Sequence, residues 1–249
     1  MAVARALITR PRLVIADEPV AMLDMSVRAK ILELMIDLQQ ELGLTYVFIT
    51  HDLATARFLC DRIAIMYMGK VVEAGPSTEI FAEPRHPYTR ALLEAIPLPD
   101  PTRRERQKQL PKGEVPDAAA PPRGCRFHPR CPSHFAPCGW EGHDLVEYLE
   151  ERWTDPERFE VESAIVGPID AVVTSATEAE FPRGGTDLAE WLESLRSEAA
   201  DPLFEAVVGI EVRGARVVVR FRDGPEPALQ EVGGCRVACH LFGVTDAAS

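Results

Sequence analysis

The stretch Leu13-Val14-Ile15-Ala16-Asp17-Glu18-Pro19 decides the fold. Four apolar residues in a row, closed by two carboxylates and a proline, read as a buried strand of a parallel sheet that stops abruptly at its carboxyl edge. Ligands of open α/β sheets bind at that edge. Two adjacent carboxylates there can divide the work. One can hold a magnesium ion, usually through water, and the other can polarise an attacking water as general base. A helix cap or a solvated acidic turn is the plainer use of the same two residues.

Downstream, Asp24-Met25-Ser26 opens a long amphipathic helix, in which Val27, Ile31, Leu34, Leu38 and Leu42 recur at helical spacing and which Gly43 closes. Thr45–Thr50 (TYVFIT) reads as a second strand running into His51-Asp52, Leu53–Cys60 as a helix and Ile63–Met68 as a third strand. A turn at Gly69-Lys70 leads to a fourth strand over Val71–Ala74, and short helices follow at Thr78–Phe81 and Tyr88–Ile96. Upstream, Ala2–Thr9 reads as the tail of a helix. The order strand–helix–strand–helix–strand implies an α/β fold with a mostly parallel sheet.

Of the 249 residues 46% are apolar and 27% charged, enough for a packed core, which excludes the disordered and collagen-like classes. No apolar run has the roughly eighteen residues of a membrane span. No signal peptide opens the chain, since Arg5 and Arg10 bracket only Ala6–Thr9, and the expectation is a soluble, intracellular protein. A net charge of −12 argues against nucleic acid as a partner. The charge is uneven: residues 1–124 carry 16 acidic and 16 basic side chains, residues 125–249 carry 23 and 11. That break suggests two units. The segment Pro97–Arg123, with seven prolines, reads as the linker between them. In the acidic unit, helices are expected at Leu145–Arg152 and Leu188–Ala199, and a hairpin from Phe204–Val212 and Ala215–Phe221 turning at Arg213-Gly214. Trp153, Phe159, Phe181, Trp191 and Leu195 are apolar anchors for a small α+β insertion over about 140–232.

Six cysteines occur. Cys60 reads as a small core residue of a helix. Cys125-x5-Cys131-Pro132-x5-Cys138 puts three thiols in one proline-interrupted loop, and Cys235 and Cys239 lie near the end of the chain. In a cytosolic protein this spacing favours a metal or iron–sulfur site over disulfides, and by count four thiolates suit zinc or a 4Fe–4S cluster equally.

Context sharpens the carboxylate pair. Met22-Leu23-Asp24 follows Pro19 closely, and His51 ends a strand 34 residues after Asp17. In this order and spacing the chain resembles the ATP-binding cassette (ABC) transporter ATPases, a branch of the P-loop NTPases. Ile15–Pro19 looks like Walker B with its catalytic glutamate, Met22–Asp24 like the D-loop and His51 like the switch histidine (H-loop). Ala4–Leu7 looks like the helix that follows the signature sequence. Asp61–Gly75 (DRIAIMYMGKVVEAG) and Pro84–Leu93 (PRHPYTRALL) narrow the resemblance to the oligopeptide, dipeptide and nickel importer branch. The resemblance implies that Asp17 holds Mg2+ through water and that Glu18 is the general base. It further implies that Asp24 couples two nucleotide sites across a dimer and that His51 contacts the γ-phosphate of ATP. Its partners would be a second ABC ATPase subunit and two membrane permeases at the cytoplasmic face, with a solute-binding protein engaged indirectly.

Residues 1–96 then correspond to the C-terminal part of an ABC ATPase domain, 97–123 to a linker and 124–249 to a C-terminal extension. The phosphate loop GxxxxGK[ST], the glutamine loop and the Leu-Ser-Gly-Gly-Gln signature do not occur in the 249 residues. The expectation is an N-terminally truncated chain, inactive by itself. The alternative is a non-catalytic fragment that retains an iron–sulfur or zinc-binding regulatory module. Cys125–Pro132 and Val237–His240 resemble the extension of peptide-importer ATPases, some of which bind a 4Fe–4S cluster. That match makes Cys125, Cys131, Cys138 and Cys239 the ligands, with Zn2+ the alternative metal and Cys235 a spare. The departure is length, since 100 residues separate Cys138 from Cys239.

Overall fold

The computed structural model describes residues 2–96, 111 and 113–243, so most of the expected linker lies outside the described residues. The chain opens with α1 (Ala2–Leu7) and β1 (Leu13–Asp17). In α2 (Met25–Leu42) the Asp24 carboxylate accepts hydrogen bonds from the Ser26 and Val27 N–H groups at 3.1 and 3.0 Å, satisfying two donors that the first turn leaves open. At the other end Gly43 turns left-handed, φ 62°, and its N–H closes on the Gln39 carbonyl. β2 (Thr45–Ile49) pairs parallel with β1, Leu13 opposite Thr45 and Asp17 opposite Ile49. Leu32 and Met35 of α2 and Ala16 of β1 are buried, whereas Leu13, Ile15, Val47 and Ile49 are exposed.

The expected α/β architecture with a parallel sheet is present in the β1–β2 pair, and the strands after it pair antiparallel. After α3 (Leu53–Leu59), β3 (Arg62–Tyr67) turns straight into β4 (Lys70–Pro76) as an antiparallel hairpin. Met68 and Gly69 both have positive φ, 44° and 80°, as a two-residue hairpin turn requires. α4 (Ser77–Ala82) and α5 (Pro87–Ala95) follow, and single 3-10 turns at His128–Arg130 and Ala136–Cys138 shape the cysteine loop.

The acidic unit has its own core. α6 (Gly142–Arg152), α7 (Pro156–Val166), β5 (Val173–Thr174), β6 (Glu178–Phe181), α8 (Gly185–Glu198), α9 (Pro202–Glu205), β7 (Val207–Arg213) and β8 (Arg216–Phe221) build an antiparallel sheet in the order β5-β6-β8-β7, packed by helices. Leu145, Leu149, Phe181, Leu188, Leu192, Val217 and Val219 are buried together, each such side chain contributing about 1.5–3 kcal/mol. Of the expected anchors, Phe181 and Leu195 lie in this core and Trp153 and Trp191 pack at its margin, but Phe159 is half exposed. The hairpin turns where expected, at Gly214, yet Phe204 belongs to α9: Asp201 caps the Leu203 N–H and Pro202 starts the helix.

β9 (Gln230–Val232) and β10 (Cys235–Val237) then rejoin the first unit, β10 lying antiparallel against β4 to give the order β3-β4-β10-β9. Gln230–Val232, expected in the insertion, therefore belongs to this sheet, and the separate core runs from Trp140 to Phe221. Among the described residues no helix is long and apolar enough to cross a membrane.

Candidate functional site

Two strand ends make the first site. β1 finishes at the exposed Asp17, and Glu18 takes a left-handed backbone, φ 45°, which costs a non-glycine residue about 1–2 kcal/mol. The Glu18 N–H donates to the Ile49 carbonyl at 3.0 Å, anchoring the turn to the end of β2. Its Oε1 accepts from the His51 N–H at 3.1 Å and lies 2.7 Å from His51 Nδ1. The parallel register of β1 and β2 thus brings together two of the expected site residues, with Asp17 adjacent. His51 remains 79% exposed, open to a ligand. Asp24 stands at the head of α2, where its carboxylate does the plainer job of capping.

Sequence reasoning missed Arg28. Its guanidinium lies 3.4 Å from both the Leu23 carbonyl and Asp52 Oδ2, tying the segment after Glu18 to the segment that carries His51. The Asp52 carboxyl is held below its ordinary range, first by the Thr55 hydroxyl at 2.6 Å, with Arg28 adding to the effect. The one signal in the sequence is a cation in the first turn of a helix, where the helix dipole opposes it.

The cysteines make the second site. Cys125, Cys131, Cys138, Cys235 and Cys239 are buried, and Cys60, expected in the core, instead ends α3 half-buried. Burial pushes the thiols up, Cys125 to about 11, Cys131 and Cys138 to about 12, and Cys239 in the same direction. Cys239 raises Cys125, Cys131 and Cys138, but it packs with Cys235, Ile80 and Val237, whereas those three pack together around Phe127. Backbone N–H groups oppose the rise at each: Phe127 and His128 at Cys125, Ser133 at Cys131, Phe135 at Cys138 and Leu241 at Cys239. The Ser133 N–H lies 3.4 Å from Cys131 Sγ. Cys235 differs. Burial, then Glu73, raises it, none of the other thiols acts on it, and its sulfur fills the space left by the missing side chain of Gly75 on β4.

Among the described residues no three His, Cys, Asp or Glu side chains are placed to hold a metal ion.

Glu73 is fully buried on β4, and its carboxylate accepts from the Arg85 and His86 N–H groups at 2.9 and 3.0 Å. His86 is buried too, and its Nδ1 accepts the Tyr88 N–H at 3.1 Å to cap α5. Burial, then the Arg90 cation, holds the imidazole pKa down at about 4. Neither residue was singled out by sequence reasoning, although both lie in the motifs that carry the resemblance.

Comparison with known proteins agrees with those motifs. Residues 72–138 match the family model described as the oligopeptide/dipeptide transporter C-terminal region. Over 148 residues the chain is 54% identical to the dipeptide transport ATP-binding protein DppF of Escherichia coli (strain K12), covering 59% of this chain and 44% of that protein. Over 136 residues it is 48% identical to a putative peptide import ATP-binding protein of Brucella ovis, covering 55% and 43%. A solved structure of CbiO1 from Clostridium perfringens, part of the ABC transporter complex CbiONQ, is 38% identical over 33% of each chain, with a TM-score of 0.31. The chain spans less than half the length of these curated relatives. Over the matched segments the chain is similar to ATP-binding proteins of peptide and dipeptide transporters.

Proposed function

We propose that this chain carries the hydrolytic strand ends of an ATP-binding subunit that drives peptide import through an ABC transporter. The observation that carries the reading is the 2.7 Å approach of Glu18 Oε1 to His51 Nδ1 at the carboxyl edge of a parallel strand pair. Glu18 is the general base for the attacking water. A carboxylate can only accept, so Nδ1 of His51 donates to it, and Nε2 would meet the γ-phosphate as a second N–H donor, with both ring nitrogens protonated. Asp17, one residue before the base, would hold Mg2+ through water, which supplies charge neutralisation on the phosphates. Asp24 joins the segment that faces the second nucleotide site of an ATPase dimer, and Arg28 keeps that segment in register with His51. The phosphate loop and signature must come from sequence outside these 249 residues. The assembly would be a dimer of ATPase subunits under two permeases, peripheral to the cytoplasmic face of the membrane and indirectly served by a solute-binding protein.

Cys125, Cys131, Cys138 and Cys239 would hold a 4Fe–4S cluster, a one-electron centre when bound. Their shared field and N–H donors support this set, and the packing of Cys235 against Gly75 supports leaving Cys235 out.

The test of the ATPase reading is a fusion. Residues 1–249 are joined behind the part of E. coli DppF that precedes the matched segment, and phosphate release from Mg-ATP is measured. The fusion should hydrolyse ATP while the 249-residue chain neither binds nor hydrolyses it. A fusion that binds Mg-ATP but shows no turnover would overturn the assignment of Glu18 and His51.

A further inference from the structure

The turn that carries Cys131 and Cys138 is closed on itself. The His134 N–H donates to the Cys131 carbonyl at 3.3 Å, and the Cys138 N–H to the Phe135 carbonyl at 2.9 Å. Cys125, Cys131 and Cys138 pack with Phe127 against Ile65, Tyr67 and Val72 of the β3–β4 hairpin, and the Phe127 ring meets Tyr67 edge-on at 5.2 Å. Gly139 then leaves the turn for the inserted domain. It touches Gly224, where the chain comes back: a Cβ on Gly224 would collide with the Gly139 Cα.

The inserted domain holds this turn through two residues. Trp140 belongs to the inserted core and is 7% exposed, yet its ring meets His128 and His134 edge to face, with centroids 5.3 and 5.0 Å away. Its indole N–H donates to the Phe135 carbonyl at 3.2 Å. Asp144, in the first turn of α6, accepts the Glu141 N–H at 2.6 Å and lies 3.4 Å from Nε2 of His128. His128 is fully buried, and its Nδ1 lies 2.9 Å from the Cys125 carbonyl. Ala136, between the two cysteines, packs on the inserted core as well.

From these contacts we propose that the inserted domain is a lid: Trp140 and Asp144 clamp the turn 128–138, and their release sets the rate at which thiol-reactive compounds from solvent reach Cys131 and Cys138. The lid is a property of the metal-free chain and does not depend on the ATPase reading or on any ligand set. The nucleophile in such reactions is the thiolate, and a thiol packed among apolar side chains forms it only once the site opens to water. With a maleimide the sulfur adds to the C=C bond and the thiol proton ends on the neighbouring carbon, so no oxidant takes part. Losing one ring contact or hydrogen bond shifts an opening equilibrium by roughly tenfold. Cys125 has a route of its own, since it borders an open cleft of about 450 Å³ lined by Val71, Val72, Glu226 and Leu229. Cys235 and Cys239 pack elsewhere, with Ile80 and Val237.

The test is a timed N-ethylmaleimide pulse on the full chain, kept reduced and freed of metal by a chelator, with each cysteine read separately by peptide mass spectrometry. In the wild type Cys131 and Cys138 should label about tenfold or more slower than the half-buried Cys60. Trp140→Ala should speed both about tenfold and leave Cys235 and Cys239 unchanged. Trp140 is also a core residue, so Asp144→Ala, which removes no core side chain, gives a second reading: the same two thiols should label several-fold faster. Wild-type rates at Cys131 and Cys138 in Asp144→Ala overturn the lid, whatever Trp140→Ala does. An equal rise at Cys235 and Cys239 overturns it too, since the whole chain would then be loosening. So does labelling of Cys131 and Cys138 in the wild type as fast as that of Cys60.

Discussion

Nδ1 of His51 lies 2.7 Å from Oε1 of Glu18, a contact made across two strand ends 33 residues apart in sequence. The Glu18 carboxylate also accepts the His51 backbone N–H at 3.1 Å, so the strained Glu18 backbone and the histidine are held as one unit. In the fusion with the front part of E. coli DppF, Glu18→Gln should lower turnover by about 10²- to 10⁴-fold while ATP binding is kept, because an amide of the same shape cannot take the proton. Phosphate release and nucleotide titration on the same preparation separate the two effects. Turnover within a few-fold of the parent would assign the base elsewhere.

Glu73 is a buried carboxylate whose two oxygens serve two backbone donors, at Arg85 and His86. In Glu73→Gln one oxygen becomes an NH2 group facing an N–H, and one buried donor loses its acceptor. The cost should be about 2 kcal/mol, read as a lower denaturation midpoint in urea. An unchanged midpoint would show that the loop before α5 finds other acceptors.

His86 makes stability depend on pH. Its folded pKa, about 4, lies below the ordinary value of 6.5. Between those values the unfolded chain binds a proton that the folded chain refuses. The contribution is therefore complete above about pH 6.5 and is lost as the pH falls towards 4, at up to about 1.4 kcal/mol per pH unit. Asn can still accept the Tyr88 N–H but does not titrate. Stability of His86→Asn plotted against pH should be flatter than wild type by that slope, and parallel curves would remove His86 as the cause.

The proposed ligand set divides the cysteines four against two. Purified without oxygen, the wild-type chain should contain iron and sulfide in cluster ratio, and Cys131→Ser or Cys239→Ser should lose both. Cys60→Ser and Cys235→Ser should keep them, since Cys60 ends α3 and Cys235 packs against Gly75. Loss in Cys235→Ser with retention in Cys239→Ser would exchange the fourth ligand. Stoichiometric zinc without iron would replace the cluster by a structural zinc site.

Much of the first unit was legible in the chain because its signals are local. Asp24 before an amphipathic run and Gly43 after it name a helix and both its ends, and each acts on neighbours within four residues. The apolar run Leu13–Ala16 closed by carboxylates names a strand end, and the spacing to His51 places a second one. The turn between β3 and β4 was legible at Gly69-Lys70, but local patterns could not foresee that β3 leaves the parallel pair, since an apolar run is equally good in a parallel or an antiparallel ladder.

The sequence by itself picked out the residues proposed to do chemistry: Asp17, Glu18 and His51 at strand ends, and the thiols of 125–138 with those near the end of the chain. Only the tertiary structure decided how they group. It set β10 against β4, packed Cys239 and Cys235 together with Ile80 and Val237, set Cys235 against Gly75, and buried Glu73 beneath the loop before α5. It also closed the acidic segment on a core of its own, with its two ends stacked glycine on glycine. The physical reason is range. Capping and periodicity act over a turn or two of chain, whereas these pairings join residues up to about 160 positions apart. Their partners are selected by shape and by the cost of burying a polar group without one.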